Sequence, residues 1–428
     1  MSIPLDRLYH FIEDIAQRIF KDRVIIYRFY PHGSKNVDDL HQLIDYTWED
    51  QQIYPSVYCH DQEPMDYAYS KNVCRSRYAL TSLSKTKILP FDPLPHFLRN
   101  LAVYEKYLLL HSEQRSLDVI NYAQDQFIPV YWWSHAVIAL DWFRFAQHVT
   151  LNRQSKKTFL IYNRAWAGTR EYRLRFAELL IQLNLQDSCQ TAVNPVEPEL
   201  GIHYDLHQFK NPAWRPQTVL ENYFPISTAQ SHYSADFDIG DYENTDIEVV
   251  LETLFDDGRI HLTEKSLRPI ALAQPFILAG THGSLEYLRN YGFKTFSDIW
   301  DESYDTIKNP EERLSAITDL MAEIINAPPQ IREKKLIHAR EIADYNRKHF
   351  FSAEFFNQVI DELTANLTSA INEVTHTTNY QGWVDRWNKY LSDPDILEHA
   401  TTQSAINVFN ISAINHIKEL INSKLNPD

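Results

Sequence analysis

The sequence predicts an α/β protein of two domains, each built on a parallel sheet, followed by a helical extension. Three observations predict it. Short apolar runs alternate with helical patterns through the first three quarters of the chain, as parallel strands joined by crossover helices do. The polar, basic segment Asn152-Arg153-Gln154-Ser155-Lys156-Lys157 interrupts that alternation, which then restarts. From Pro310 onward strand signals fade and helical spacing remains. The domains are therefore placed at 1–150, 151–350 and 351–428, and a length of 428 residues suits such a division.

The elements follow in order. Arg23 to Tyr30 is rich in β-branched and aromatic residues and ends in the turn Pro31-His32-Gly33. Ile53 to Cys59, Tyr107 to His111 and Ile128 to Trp132 read as further buried strands. His135 to His148 has helical spacing, with Ala136, Leu140, Phe143 and Ala146 on one face. Beyond the basic segment come a strand at Thr158 to Tyr162 and a helix from about Arg170 to Leu183. An irregular stretch then runs to about Asn244. Next are strand Ile247 to Leu251, a helix opening near Thr263, strand Pro275 to Leu278 and helix Ser284 to Asn290. Arg313 to Ile325, Ile331 to Phe350 and Ala353 to Leu367 are helical.

Composition narrows the function. Hydrophobic residues make up 44% of the chain and glycine only 9 positions, which excludes a disordered or linker-rich protein. A net charge of −16 opposes a protein that grips duplex DNA over a wide surface. Cys59, Cys74 and Cys189 form neither a disulfide framework nor a zinc pattern, which suits a reducing compartment. Met1 to Phe20 carries Asp6, Glu13 and Asp14 and lacks the apolar core of a secretory leader, and no apolar run is long enough to span a bilayer. The expectation is a cytoplasmic protein without a membrane span, so the sequons at Asn366 and Asn410 are chance matches.

The richest chemistry lies between Asp246 and Phe296. Glu252-Thr253 follows a strand, and His261-Leu262-Thr263-Glu264-Lys265 leads into a helix that also carries Arg268. Thr263 is a good N-cap. Free amides at such a helix start, beside Lys265 and Arg268, suit a diphosphate, while Glu264 suits hydrogen bonds from ribose or sugar hydroxyls. From composition alone an ordinary capped helix with its charges in water reads slightly better.

This stretch resembles the donor-site motif of the α1,3-fucosyltransferase family, in which a strand-end Glu precedes an Ile-Thr-Glu-Lys segment, a helix and a Pro-containing strand. It is similar also to phage and bacterial glycosyltransferase-like proteins with the same Thr-Glu-Lys core and a Gly-Phe-Lys-Thr-Phe segment, here Gly292 to Phe296. The resemblance implies a GT-B fold, two Rossmann-like domains facing a cleft, with C-terminal helices. It further implies inverting, metal-independent transfer from a nucleoside-diphosphate sugar, with no other cofactor. Glu252 would then hold the base or ribose. Thr253 stands where fucosyltransferases favour Asn, so the sugar's identity is not carried over.

Two other segments bear on the reaction. Tyr162-Asn163-Arg164 ends a strand and Gly168-Thr169-Arg170-Glu171-Tyr172-Arg173 opens a helix, the place where α/β sheets bind ligands. Arginine there forks onto phosphate oxygens. Asn163, Arg164 and above all Arg170 resemble the donor-diphosphate residues of the same proteins, and one of Arg164, Arg170 and Arg173 is expected to lie on a solvated helix face. Tyr58-Cys59-His60-Asp61-Gln62-Glu63-Pro64 ends a strand in the first domain, which in a GT-B enzyme supplies the acceptor side. Asp61 and Glu63 are the candidate bases for the acceptor hydroxyl, with His60 beside them; a polar turn without chemistry is the other reading. His135 and Asp141, and the loop Gly280-Thr281-His282-Gly283-Ser284, carry less weight: a helix cap, an exposed acid and a plain turn explain them.

Rival chemistries lack their residues. Asp236-Phe237-Asp238 and Asp393-Pro394-Asp395 match a loose Asp-x-Asp pattern but end no clear strand, so no metal site is expected. No zinc His spacing, nucleophile elbow or Walker loop occurs. The expected partners are a nucleotide-sugar donor and an acceptor, either a glycan or a modified phage DNA base, with the oligomeric state open. The competing expectation is a GT-B relative that binds nucleotide or glycan without turning it over.

Overall fold

The computed structural model describes residues 130–376 apart from 199, 227–234 and 257, together with 14–15, 18, 25–28, 56–59, 107–112, 114–115 and 120. Among these the chain is α/β, with two four-stranded sheets whose strand pairs are all parallel. The sheets fall in separate compact units. One holds the described residues up to 112, 120–133 and 362–376; the other holds 114–115 and 134–361.

The first sheet comprises β1 (Ile25–Arg28), β2 (Ser56–Cys59), β3 (Tyr107–His111) and β4 (Val130–Trp132), in that spatial order. Ile25 stands opposite Ser56, Ser56 opposite Tyr107, and Leu109 opposite Val130. Each strand lies within an apolar run that the sequence marks.

The second sheet is ordered β6-β5-β7-β8, from β5 (Lys157–Ile161), β6 (Cys189–Thr191), β7 (Thr245–Leu251) and β8 (Phe276–Ala279). All seven residues of β7 are buried, so both faces of this central strand are covered. Strand alternation explains the mixture of residues it carries. Ile247, Val249 and Leu251 share one face. Asp246 and Glu248 share the other and meet cations there: Asp246 binds Arg340 at 2.5 Å and Glu248 binds Arg268 at 2.5 Å. Strand β6 falls in the stretch read as irregular, because three residues at a sheet edge, Cys-Gln-Thr, carry no alternation to read.

The helices are α1 (Ala136–Trp142), α2 (Tyr172–Gln182), α3 (Ile239–Glu243), α4 (Glu264–Ala271), α5 (Ser284–Asn290), α6 (Pro310–Asn326), α7 (Pro329–Phe350) and α8 (Ala353–His376). Helix α4 packs with α1 and α7, and α2 packs with α6. Helix α1 stops well short of the predicted His148; its last turn is closed by Arg144, which donates to the Asp141 carbonyl at 2.6 Å. Asp141 is buried, not the exposed acid expected from sequence. Helices α6 and α7 begin earlier than predicted because each opens on proline, which fits a first helical turn whose amide needs no partner. Asn309 completes the start of α6 by accepting from the Glu311 and Glu312 amides.

Helix α5 ends in a Schellman turn. The Phe293 amide donates to the Leu288 carbonyl at 3.2 Å, and that of Gly292 to Arg289 at 2.9 Å. Gly292 sits at φ +84, and a Cβ there would stand 2.7 Å from His349 Nε2, which is held on the Tyr291 carbonyl. Gly292→Ala is therefore expected to cost about 2–3 kcal/mol, from left-handed strain plus overlap with the imidazole. A urea melt checks it, and an unchanged midpoint would contradict this packing.

Candidate functional site

In a parallel sheet the loops that follow the strands open along one edge. Where strand order turns back, neighbouring loops part and leave a crevice. The order β6-β5-β7-β8 places that point between β5 and β7. The segments arriving there are Tyr162-Asn163-Arg164 after β5 and Glu252-Thr253 after β7. These are segments that sequence reading selected, joined at one edge by the fold.

Helix α2 ties these strand ends together. Arg173 is buried and donates to the carbonyls of Ala165 at 2.7 Å, Leu251 at 2.6 Å and Glu252 at 3.2 Å. The Tyr172 hydroxyl donates to the Glu252 carbonyl at 2.6 Å. Arg173 is thus a tie across the strand ends and lies on no solvated face. Asn163 is buried and its amide reaches the Arg173 carbonyl at 3.4 Å, while the Arg164 carbonyl accepts from Asn194 at 2.9 Å. Arg170 is half-buried in a short 3-10 turn, and its Nε is enclosed without a hydrogen-bond partner.

Glu252 corrects one expectation. Its carboxylate, fully buried, accepts from the Thr263 amide at 2.9 Å, Thr263 Oγ1 at 2.9 Å, Ser266 Oγ at 2.5 Å and the Thr253 amide at 3.1 Å. Its lone pairs are used inside the protein, so it fastens the start of α4 and leaves nothing to grip a base or ribose. The same contacts revise the helix start itself. Thr263 is the N-cap, with Lys265 N donating to its Oγ1 at 3.3 Å. A helix N-terminus favours an anion, and here the anion already beside it is Glu252. The amides of Thr263 and Lys265, expected to be free for diphosphate, are engaged.

Arg268 also departs from expectation. Three residues beyond Lys265 it points to the face of α4 against the sheet, where it pairs with Glu248, donates to the Tyr242 hydroxyl at 3.0 Å and lies 4.4 Å over the Tyr162 ring. Burial alone would lower its pKa, but Glu248 and then Tyr242 hold it above the ordinary value. It stabilises the fold beneath the edge and does not reach a ligand at the helix start.

What remains at that start is a compact charged group. Lys265, 14% exposed, donates to Glu264 at 2.8 Å and to Thr263 Oγ1 at 3.2 Å. Beside it the rings of His135 and His261 meet edge to face at 4.8 Å. Burial, then His261, push His135 well below the ordinary histidine range; Glu264 opposes them and Lys265 adds to them. His261 appears in the sequence only as a neighbour of the Thr-Glu-Lys core, and a single imidazole in a loop carries no signal of this pairing.

The candidate bases Asp61 and Glu63, with His60, lie outside the described residues, as do Asp393 and Asp395. Asp238 is the N-cap of α3, accepting from the Gly240 amide at 2.8 Å. Among the described residues no group of three or more His, Cys, Asp or Glu is placed to hold a metal, and no helix is long and apolar enough to cross a membrane. No protein-family model, curated protein or solved structure matches the chain.

Proposed function

We propose that the chain is a GT-B glycosyltransferase that moves a sugar from a nucleoside-diphosphate donor to an acceptor hydroxyl, with inversion and without a metal. One observation carries the reading. The strand order puts a switch point between β5 and β7, and Glu252, at the end of β7, fastens the Thr263-Glu264-Lys265 turn to that same edge. Nucleotides bind parallel α/β sheets at such points.

Lys265, Arg170 and Arg164 are assigned to the donor's diphosphate, and Glu264 to ribose or sugar hydroxyls; Asn163 shapes the β5 end. Bond making and breaking balance simply. The acceptor oxygen forms a bond to the anomeric carbon as the bond to the diphosphate oxygen breaks. The nucleoside diphosphate departs with the electron pair, and Asp61 or Glu63 takes the acceptor proton. Charge develops on the diphosphate, so fixed cations there lower the barrier. The acceptor class is a glycan or a modified DNA base, in a cytoplasmic setting.

A thermal-shift panel of UDP, GDP, TDP and CMP tests the site. One nucleotide at about a hundredfold over its Kd stabilises the folded state by about 2.7 kcal/mol, a shift of a few degrees in Tm. No shift with any nucleotide or its sugar conjugates would overturn the proposal. Binding without release of nucleoside diphosphate would identify a non-catalytic relative.

A further inference from the structure

The loop between β8 and α5, Gly280-Thr281-His282-Gly283, gathers cations in a chain whose net charge is −16. Gln114 forms an antiparallel bridge with Ile260, which brings Arg115 alongside this edge of the sheet. Its guanidinium lies so close to Gly283 that a Cβ there would stand 3.1 Å from Nη1. Gly283 has φ +83, a left-handed turn that favours glycine. His282 feels burial first and then Arg313, Lys308 and Arg115, all of which disfavour its protonation; Asp305 acts the other way.

Asp305 is engaged by the Leu285 amide, 3.2 Å from each carboxylate oxygen. The Arg313 fork is taken by the carbonyls of Gly280, Ile307, Lys308 and Phe255. Among the described residues no carboxylate pairs with Arg115 or Lys308. Two polar atoms of the loop are buried without partners, Thr281 Oγ1 and His282 Nδ1, and Thr281 is only 2% exposed. Buried polar groups are nearly always satisfied, so orphaned ones beside unpaired cations mark a place for an acceptor-rich anion.

The geometry points to an oxyanion site in which Arg115, Lys308, Thr281 and His282 receive a phosphoryl group. A tetrahedral phosphate offers several acceptor oxygens and up to two negative charges, matching two cations, a hydroxyl and an imidazole. This site is built on the loop after β8, from residues other than those of the Thr263-Glu264-Lys265 turn, and stands whether or not the chain transfers sugar.

Isothermal titration of the full chain with inorganic phosphate and with pyrophosphate tests it. Saturable binding is expected, weakened about tenfold or more by Arg115→Ala and by Lys308→Ala, since each removes a charge-assisted contact. Lys308 is exposed, so its replacement leaves the fold intact. Thr281→Val removes the hydroxyl alone and is expected to weaken binding as well. Lys334→Ala, on exposed α7 surface, serves as the charge control and should bind as the wild type does. No saturable binding, or equal affinity in wild type, Arg115→Ala and Lys308→Ala, would overturn the site. A chain that holds pyrophosphate here yet transfers no sugar keeps this site and loses only the transferase reading.

Discussion

Arg268→Met is expected to lower the free energy of unfolding by about 3–5 kcal/mol, the range for removing one partner of a buried ion pair. Glu248 is fully buried in the middle of β7, with Arg268 at 2.5 Å and the Tyr242 hydroxyl donating to it at 2.5 Å. Without Arg268 its charge stays in the interior beside one neutral donor, and the Tyr162 ring loses the cation stacked on it. The physical claim concerns the orphaned carboxylate rather than the pair's net worth. The double variant Glu248→Leu with Arg268→Met should therefore lose less stability than Arg268→Met alone, because two apolar side chains replace two desolvated charges. Urea melts of the three proteins check this. A single variant within about 1 kcal/mol of wild type would mean that Arg268 is not buried against Glu248.

On the proposed transferase reading, Lys265→Ala is expected to reduce sugar transfer about 10²- to 10³-fold, the loss typical of removing one group that stabilises developing charge. Its ammonium sits on the Thr263-Glu264 turn and is the cation left at that helix start once Arg268 is directed to the sheet. Some stability goes with it, since the almost fully buried Glu264 loses a partner at 2.8 Å. Turnover must therefore be read on protein whose circular dichroism matches wild type, as nucleoside diphosphate released per folded molecule. The two arginine and lysine predictions separate by readout: Arg268→Met acts on stability, and Lys265→Ala acts mainly on turnover. Transfer at the wild-type rate in Lys265→Ala would remove the Thr-Glu-Lys turn from the reaction.

Much of the site's raw material was legible in the chain. Thr263 announces a helix start through its N-cap chemistry, and α4 opens there with Lys265 N on its hydroxyl. The β-branched run Ile247 to Leu251 is the centre of the second sheet. Side-chain destinations were harder. Glu252 and Arg268 read as ligand-facing charges, and Arg173 as a neighbour of Arg170 that could lie on a solvated helix face, because polar residues near a strand end or helix start suggest a site. Each instead closes hydrogen bonds within the protein. Periodicity cannot reveal this: a charged residue is read as exposed unless its buried partner is known, and those partners are 20, 14 and 78 residues away for Arg268–Glu248, Ser266–Glu252 and Arg173–Leu251.

By itself the sequence determined the parallel α/β class, most of the strands and the helix start at Thr263, because hydrophobic period and capping are local properties. Only the tertiary structure decided that β6, three residues with no pattern, forms an edge and so places the switch point between β5 and β7. It decided too that Arg115, remote in sequence, lies against Gly283. Strand order and the pairing of buried charges are set by contacts between distant segments, and no local pattern along the chain encodes which distant partner each will find.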